Sequence, residues 1–189
     1  AALMKDFAPQ YFNPADLAVI TGGRDTAATF TGLPFDHLFF TGSPEVGKLV
    51  QRAAAANLVP VTLELGGKNP VVVGRDADIP TAAARIAIAR MVDGGQVCVC
   101  PDYVFVPQDR VEEFLAAARR ELTARFGSIV GNPDYCSFVN EANFDREEIF
   151  GPVLMVMTYT DPRQVVDYVN DRPAPLVAYW YGPDGSDFR

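Results

Sequence analysis

Two side chains in this sequence could cooperate in covalent catalysis, the thiol of Cys98 and the carboxylate of Glu64. Cys98 follows the short Gly95-Gln96-Val97 segment, and Glu64 closes an apolar run just before Gly66-Gly67. A cysteine nucleophile and a carboxylate base are the minimal set for forming an acyl-thiol and then hydrolysing it. The 34 positions from one to the other leave room for one crossover unit of an α/β fold.

Each of these residues also has a plainer interpretation. A lone cysteine is most often a small buried apolar residue, but the glycine-rich approach to Cys98 argues against a position in a core helix. Glu64 could simply reach solvent at a strand end, whereas the two glycines after it indicate a backbone that passes close to a ligand. Cys100 could form a disulfide with Cys98, although that spacing is strained. Cys136 lies in a polar segment without an evident partner.

The apolar pattern of the chain predicts strands that alternate with helices, which indicates an α/β fold with a largely parallel sheet. The predicted strands cover residues 17–21, 37–41, 59–65, 70–73, 103–106, 153–159 and 176–181. The predicted helices cover residues 44–56, 79–92, 110–126 and 161–171, and residues 25–32 are compatible with either a helix or a loop.

Gly42 and Ser43 stand where a predicted strand passes into a predicted helix. Ser43 is a favourable N-cap, Pro44 is a favourable first helical residue, and free amides at a helix start bind anions. The turn lacks the G-x-G-x-x-G fingerprint, so taken alone it is a weak indication of a phosphate site. Gly22 and Gly23 could approach the same ligand or form a plain turn after a strand.

Composition narrows the class of protein. The 189 residues, 49% of them hydrophobic, suffice for one sizeable core and a second small lobe. A net charge of −8 argues against nucleic acid or an anionic membrane surface as a partner. Three cysteines and no signal-peptide pattern at the N-terminus favour a reducing, cytoplasmic compartment.

Four motifs, in their order along the chain, resemble those of the aldehyde dehydrogenase superfamily. They are Phe-Thr-Gly-Ser-Pro-Glu-Val-Gly at 40–47, Glu-Leu-Gly-Gly-Lys-Asn-Pro at 64–70, Gly-Gln-Val-Cys at 95–98 and Glu-Ile-Phe-Gly-Pro at 148–152. Residues 98–104 and 131–136 are most similar to bacterial coniferyl-aldehyde-dehydrogenase-like members. The resemblance implies parts of a Rossmann-like cofactor domain, residues 1–66, and of a catalytic α/β domain, residues 67–189.

The resemblance also implies a role for each site residue. Cys98 would be the nucleophile, with its own N–H in the oxyanion hole, and Glu64 would be the base that activates the hydrolytic water. Gly42 and Ser43 would face a dinucleotide, NAD or NADP, and Leu65 and Gly66 would also bind it. The carboxylate of Glu148 would accept hydrogen bonds from the nicotinamide ribose, and Phe150 would pack against the nicotinamide. No metal is implied.

The resemblance further implies a small aldehyde substrate and, for a full-length member, a homodimer or homotetramer. Compared with usual members, the chain is less than half as long, and the resemblance implies that several dozen residues are missing near residue 146. Two alternatives therefore stand beside an aldehyde dehydrogenase: a non-catalytic fragment with a structural or regulatory role, and an acylating semialdehyde dehydrogenase that uses coenzyme A. Glu64 argues for water as the acyl acceptor. A Cys-His hydrolase is disfavoured because His37, the single histidine, has no triad context.

Overall fold

The computed structural model describes residues 1–127 and 147–185, and it divides into two compact units, Ala1–Glu64 and Leu65–Arg189. The first unit contains three helices and two hydrogen-bonded strands. In chain order these elements are α1 (Ala2–Tyr11), α2 (Arg24–Thr31), β1 (Leu38–Gly42), α3 (Pro44–Ala55) and β2 (Val61–Leu65).

A small apolar core holds the first unit together. Leu38 of β1, Val50 and Ala54 of α3, and Val59 are buried against one another. The side chain of Ser43 caps α3 by accepting a 3.3 Å hydrogen bond from the Val46 N–H. The predicted cap is therefore confirmed, and it fixes the start of α3 directly after β1.

The second unit is built on a four-stranded parallel sheet. Its elements are β3 (Pro70–Val73), α4 (Ile79–Met91), β4 (Tyr103–Pro107), α5 (Val111–Phe126), β5 (Met155–Tyr159), α6 (Pro162–Asn170) and β6 (Tyr179–Tyr181). The strands lie in the order β5-β4-β3-β6, with Val71 opposite both Val104 and Tyr179. This arrangement confirms the predicted parallel α/β class.

Alternating side chains of β4 supply the two faces of this sheet. Val104 and Val106 pack with the buried residues of α4 and α5 on one face. Tyr103 and Phe105 belong to a second cluster with Tyr159 of β5 and Val165 of α6. Helices on both faces leave β4 completely buried, as is usual for a central parallel strand.

The segment 17–21 differs from its prediction, because it forms no strand in the structure. A strand requires a hydrogen-bonded neighbour, and no strand among the described residues pairs with this segment. Leu17 and Ile20 consequently remain 39% and 61% exposed. The sequence pattern also missed α1, and β6 is shorter than the predicted 176–181.

None of the helices in the described part of the chain is both long and apolar enough to cross a membrane.

Two adjacent valines of α6 provide a matched test of the second core cluster. Val165 is 5% exposed and Val166 is 56% exposed. Val165→Ala should lower the free energy of unfolding by about 2 kcal/mol, because it deletes two buried methyl groups and leaves a cavity. Val166→Ala should change it by less than about 0.5 kcal/mol. Urea denaturation followed by the fluorescence of Trp180, the single tryptophan, measures both; equal losses would contradict the packing described.

Candidate active site

Cys98 is an exposed residue of the loop that joins α4 to β4. The loop begins where α4 ends at Met91, and the backbone then takes positive φ values at Asp93, Gly94 and Gly95. A tight turn follows, in which the Cys100 N–H donates a 2.9 Å hydrogen bond to the Val97 carbonyl. The Cys98 side chain is therefore presented on a turn rather than on a helix or a strand.

Side chains from two other segments hold the backbone of this cysteine loop, residues 97–100. The Asn69 Nδ2 group donates to the carbonyls of Cys98 and Cys100 at 2.8 and 3.1 Å. The Tyr179 hydroxyl donates to the carbonyl of Val99 at 2.6 Å. Three consecutive carbonyls are thus fixed from outside the loop, which limits the positions open to the intervening thiol.

Gly95 links the cysteine loop to the Glu-Ile-Phe-Gly-Pro segment. Its φ is +79°, and a Cβ built on it would collide with the carbonyl oxygen of Gly151. Only glycine suits a position that combines left-handed backbone with so close a backbone neighbour. The glycine at 95 therefore brings the loop of Cys98 directly against the segment that carries Glu148 and Phe150.

The Glu148 carboxylate lies over the backbone of Gly66. A Cβ at Gly66 would collide with the Glu148 carboxylate oxygens, so glycine is required for this close approach. Partial burial raises the pKa of Glu148, the charge of Asp102 raises it further, and a hydrogen bond from the Gly67 backbone opposes the rise. The structure thus joins the second and fourth motifs, while Phe150 remains 49% exposed at a φ of +42°.

A buried charge network lies beneath these motifs. Lys68 and Asp102, whose side chains are 7% and 1% exposed, form a 2.8 Å ion pair, and Arg90 Nη1 lies 3.5 Å from Asp102. Lys68 also donates to the carbonyl of Glu147 at 3.0 Å, and Asp102 accepts a 3.1 Å hydrogen bond from the Ile149 N–H. Burial lowers the pKa of Arg90, and the charge of Asp102 opposes that decrease.

Glu64 is the fourth residue of β2 and is exposed. It lies at the end of the first compact unit, whereas Cys98 lies in the second. Leu65, which follows it, is half-buried. The pairing of Glu64 with Cys98 thus stays a prediction from their motifs.

Gly42 and Ser43 lie at the junction of β1 with α3, in a part of the first unit that also contains an open cavity. The cavity has a volume of about 690 Å³ and a predominantly apolar wall. Gly22, Gly23 and Val46, the last from the first turn of α3, are among the residues that line it. A helix start beside an apolar cavity offers one place for an anion and another for a flat apolar ring.

The remaining candidate residues have simpler environments. Cys98 and Cys100 are both free; Cys100 is buried, donates to the Ala89 carbonyl at 3.4 Å, and has a pKa raised chiefly by burial. His37 Nε2 lies 3.0 Å from the Thr62 hydroxyl. Cys136 and the junction near 146 lie outside the described residues. Within residues 1–127 and 147–185, no group of three or more acidic, cysteine or histidine side chains is placed to hold a metal ion.

A model of the aldehyde dehydrogenase family matches nearly the whole chain, over residues 3–146 and 136–189. The chain belongs to the aldehyde dehydrogenase family. Coniferyl aldehyde dehydrogenase from Pseudomonas sp. strain HR199 is 36% identical over 97% of this chain and 48% of its own length. The chain thus spans about half the length of the curated relatives it matches.

Solved structures agree with this assignment. A substrate-bound Staphylococcus aureus aldehyde dehydrogenase superposes with a TM-score of 0.90 at 30% identity, over 99% of this chain and 50% of that one. Aldehyde dehydrogenase C from Pseudomonas syringae, solved with NAD⁺ and octanal, gives a TM-score of 0.75 at 26% identity, over 88% and 45%. The fold is therefore a partial aldehyde dehydrogenase fold.

The motifs of this family member did not reveal every residue of the candidate site. Lys68 and Asn69 belong to the second motif, but the motif does not reveal that their side chains bind the Glu147 carbonyl and the cysteine loop. The motifs also gave no indication of Asp102. An aspartate next to a fully buried strand is nevertheless a signal, because a buried carboxylate requires charged or hydrogen-bonding partners. Tyr179 was interpreted only as a strand residue, and nothing in the sequence indicates its bond to Val99.

Proposed function

We propose that the protein oxidises an aldehyde to a carboxylic acid with NAD or NADP as cofactor. The observation that carries this proposal is the exposed Cys98 on a loop whose backbone is held by Asn69 and Tyr179, in a family of aldehyde dehydrogenases. A fixed, accessible thiol is what nucleophilic attack on a carbonyl requires. Under the proposal, residues 1–66 belong to the cofactor domain and residues 67–189 to the catalytic domain.

The proposed reaction begins when the Cys98 thiolate attacks the aldehyde carbonyl and forms a thiohemiacetal. The Cys98 N–H would hold the oxyanion that develops on the former carbonyl oxygen. Oxidation of this adduct leaves a thioester on Cys98. Glu64 would then take a proton from water as that water attacks the thioester, so that the carboxylic acid leaves and the thiol is restored.

The residues present suit a dinucleotide cofactor. When bound, the cofactor supplies the acceptor for the hydride of the substrate. In the first unit, Gly42 and Ser43 at the start of α3 suit its phosphates, and the adjoining apolar cavity suits a base. In the second unit, the Glu148 carboxylate would accept hydrogen bonds from the nicotinamide ribose, with Phe150 and the Leu65-Gly66 backbone beside it.

Gly66→Ala tests the proposed role of Glu148. Because a Cβ at this position collides with the Glu148 carboxylate, the variant should displace that carboxylate and weaken NAD(P) binding at least about tenfold. Gly185→Ala is the matched control, since a Cβ there meets open space. Cofactor titration monitored by protein fluorescence measures both variants. Unchanged affinity in Gly66→Ala would remove Glu148 from the cofactor site.

The curated relatives suggest a substrate class. Because the relative from Pseudomonas is named for coniferyl aldehyde, we propose an aromatic aldehyde as the substrate. A homodimer or homotetramer and a reducing, cytoplasmic setting, which keeps Cys98 in its thiol form, complete the proposal. The alignment with that relative spans 233 residues, more than this chain contains, and the family model matches in two parts that meet between residues 136 and 146; both support a missing internal stretch there.

The experiment that tests the proposal is an assay of reduced cofactor formation from an aromatic aldehyde with NAD⁺ or NADP⁺, with product analysis in the presence and absence of coenzyme A. Formation of the free acid without coenzyme A is the expected result. An acyl-coenzyme A product would instead indicate an acylating enzyme. The absence of both cofactor binding and turnover would indicate a non-catalytic role.

A further inference from the structure

The adjacent side chains of Lys68 and Asn69 leave the backbone in two different directions within the second unit. Lys68 reaches the segment around Glu148, and Asn69 reaches the cysteine loop. We propose that these two residues divide the positioning of the site, Lys68 fixing the Glu148 segment and Asn69 fixing the loop of Cys98. This inference deepens the proposed function and depends on it for the chemical meaning of the two segments.

The contacts of Asn69 are all with backbone groups of other segments. Its Nδ2 group donates to the carbonyls of Cys98 and Cys100, and its Oδ1 accepts a 3.1 Å hydrogen bond from the Val177 N–H. With 1% exposure, the Asn69 amide has no water to replace these partners. Through these three hydrogen bonds, the Asn69 side chain connects the cysteine loop to the segment before β6.

Lys68 holds the residue before Glu148 directly and the residue after it through Asp102. Lys68 donates to the carbonyl of Glu147 and to Asp102, and Asp102 accepts from the N–H of Ile149. The residues before and after Glu148 are thus held by one buried ion pair. Because Arg90 also lies 3.5 Å from Asp102, replacing Lys68 still leaves a buried cation beside that carboxylate.

Amide hydrogen exchange on the full chain can separate the two roles without cofactor or substrate. In Asn69→Ala we expect exchange of the Cys100 amide to accelerate at least about tenfold while exchange of the Ile149 amide stays near wild type. In Lys68→Met we expect the reverse pattern. Tyr179→Phe, which deletes only the hydroxyl bound to Val99, should loosen the cysteine loop even if Asn69→Ala folds poorly.

Tyr159→Phe is the matched control. Like Tyr179→Phe, it deletes a single tyrosine hydroxyl; this one is buried and donates to the Val73 carbonyl at 2.8 Å in the same sheet, outside both segments. Neither the Cys100 nor the Ile149 amide should exchange faster in this variant. A control that accelerates either amide would show that the effect is general loosening of the sheet and would overturn the proposal.

Kinetic measurements give the second readout. Asn69→Ala and Tyr179→Phe should lower kcat about tenfold or more with little change in the cofactor KM, whereas Lys68→Met should chiefly raise the cofactor KM. The division of roles would be overturned if each variant accelerated exchange of both the Cys100 and the Ile149 amide, or if neither variant accelerated either one. If wild type neither binds cofactor nor oxidises aldehyde, the proposed function fails, while the exchange pattern still decides the positioning claim.

Discussion

Cys98→Ser is expected to lower kcat/KM for aldehyde oxidation by at least about 10⁴-fold, because a serine hydroxyl at this exposed turn is a far weaker nucleophile than a thiolate. Cofactor affinity should remain within about twofold of wild type. The loop backbone is bound through its carbonyl oxygens, which the substitution leaves in place. Steady-state kinetics and a cofactor titration on the same preparation measure both quantities.

Cys100→Ser is the control for this experiment. The Cys100 thiol is buried and donates to the Ala89 carbonyl, a contact that a serine hydroxyl can also make. Its activity should therefore stay within about fivefold of wild type. If Cys98→Ser retained substantial oxidation, or if Cys100→Ser lost as much activity as Cys98→Ser, the nucleophile would have been assigned to the wrong residue.

Glu64→Gln is expected to slow hydrolysis of the acyl-enzyme by about 10² to 10⁴-fold, the range associated with a positioned general base. Because thiol attack and oxidation precede this step, the first turnover should stay fast. Rapid mixing should therefore show a burst of reduced cofactor close to one equivalent per site, followed by a slow steady state. The amide is nearly the same size as the carboxylate, so the change isolates proton transfer.

Glu112→Gln provides a control of the same chemistry, since Glu112 is an exposed glutamate in the first turn of α5, outside all four motifs. It should leave the steady-state rate of acid formation within a few-fold of wild type. A Glu64→Gln variant that lost the burst as well as the steady state would place Glu64 before the acyl-enzyme. A variant with normal turnover would mean that another group activates the water.

Local sequence rules predicted most of the secondary structure around the site. Ser43-Pro44 set the start of α3, and the apolar run at 70–73 became β3 with its predicted bounds. These predictions were confirmed because both signals are local: an N-cap involves residues three positions apart, and a strand buried on both faces is a short continuous apolar run. The segment 17–21 failed for the complementary reason, since an apolar run becomes a strand only when another strand pairs with it.

The site itself was only partly predictable. The motif resemblance pointed to Cys98, Glu148 and Phe150, but it gave no sign that Asn69 holds the cysteine loop or that Asp102 binds the amide of Ile149. Such contacts join residues 29 to 47 positions apart, and single-sequence patterns carry no distance information at that range. A buried polar side chain in an apolar strand context is the only local signal that could have suggested them.

The covalent acyl group on Cys98 is the central claim, and peptide mass analysis after rapid acid quenching tests it most directly. Protein mixed with an aromatic aldehyde and NAD⁺ or NADP⁺ should carry the mass of the acyl group on the peptide containing Cys98, at higher occupancy in Glu64→Gln than in wild type. Omission of either reactant should abolish the adduct. Turnover without this adduct, or an adduct located on Cys100, would contradict the account.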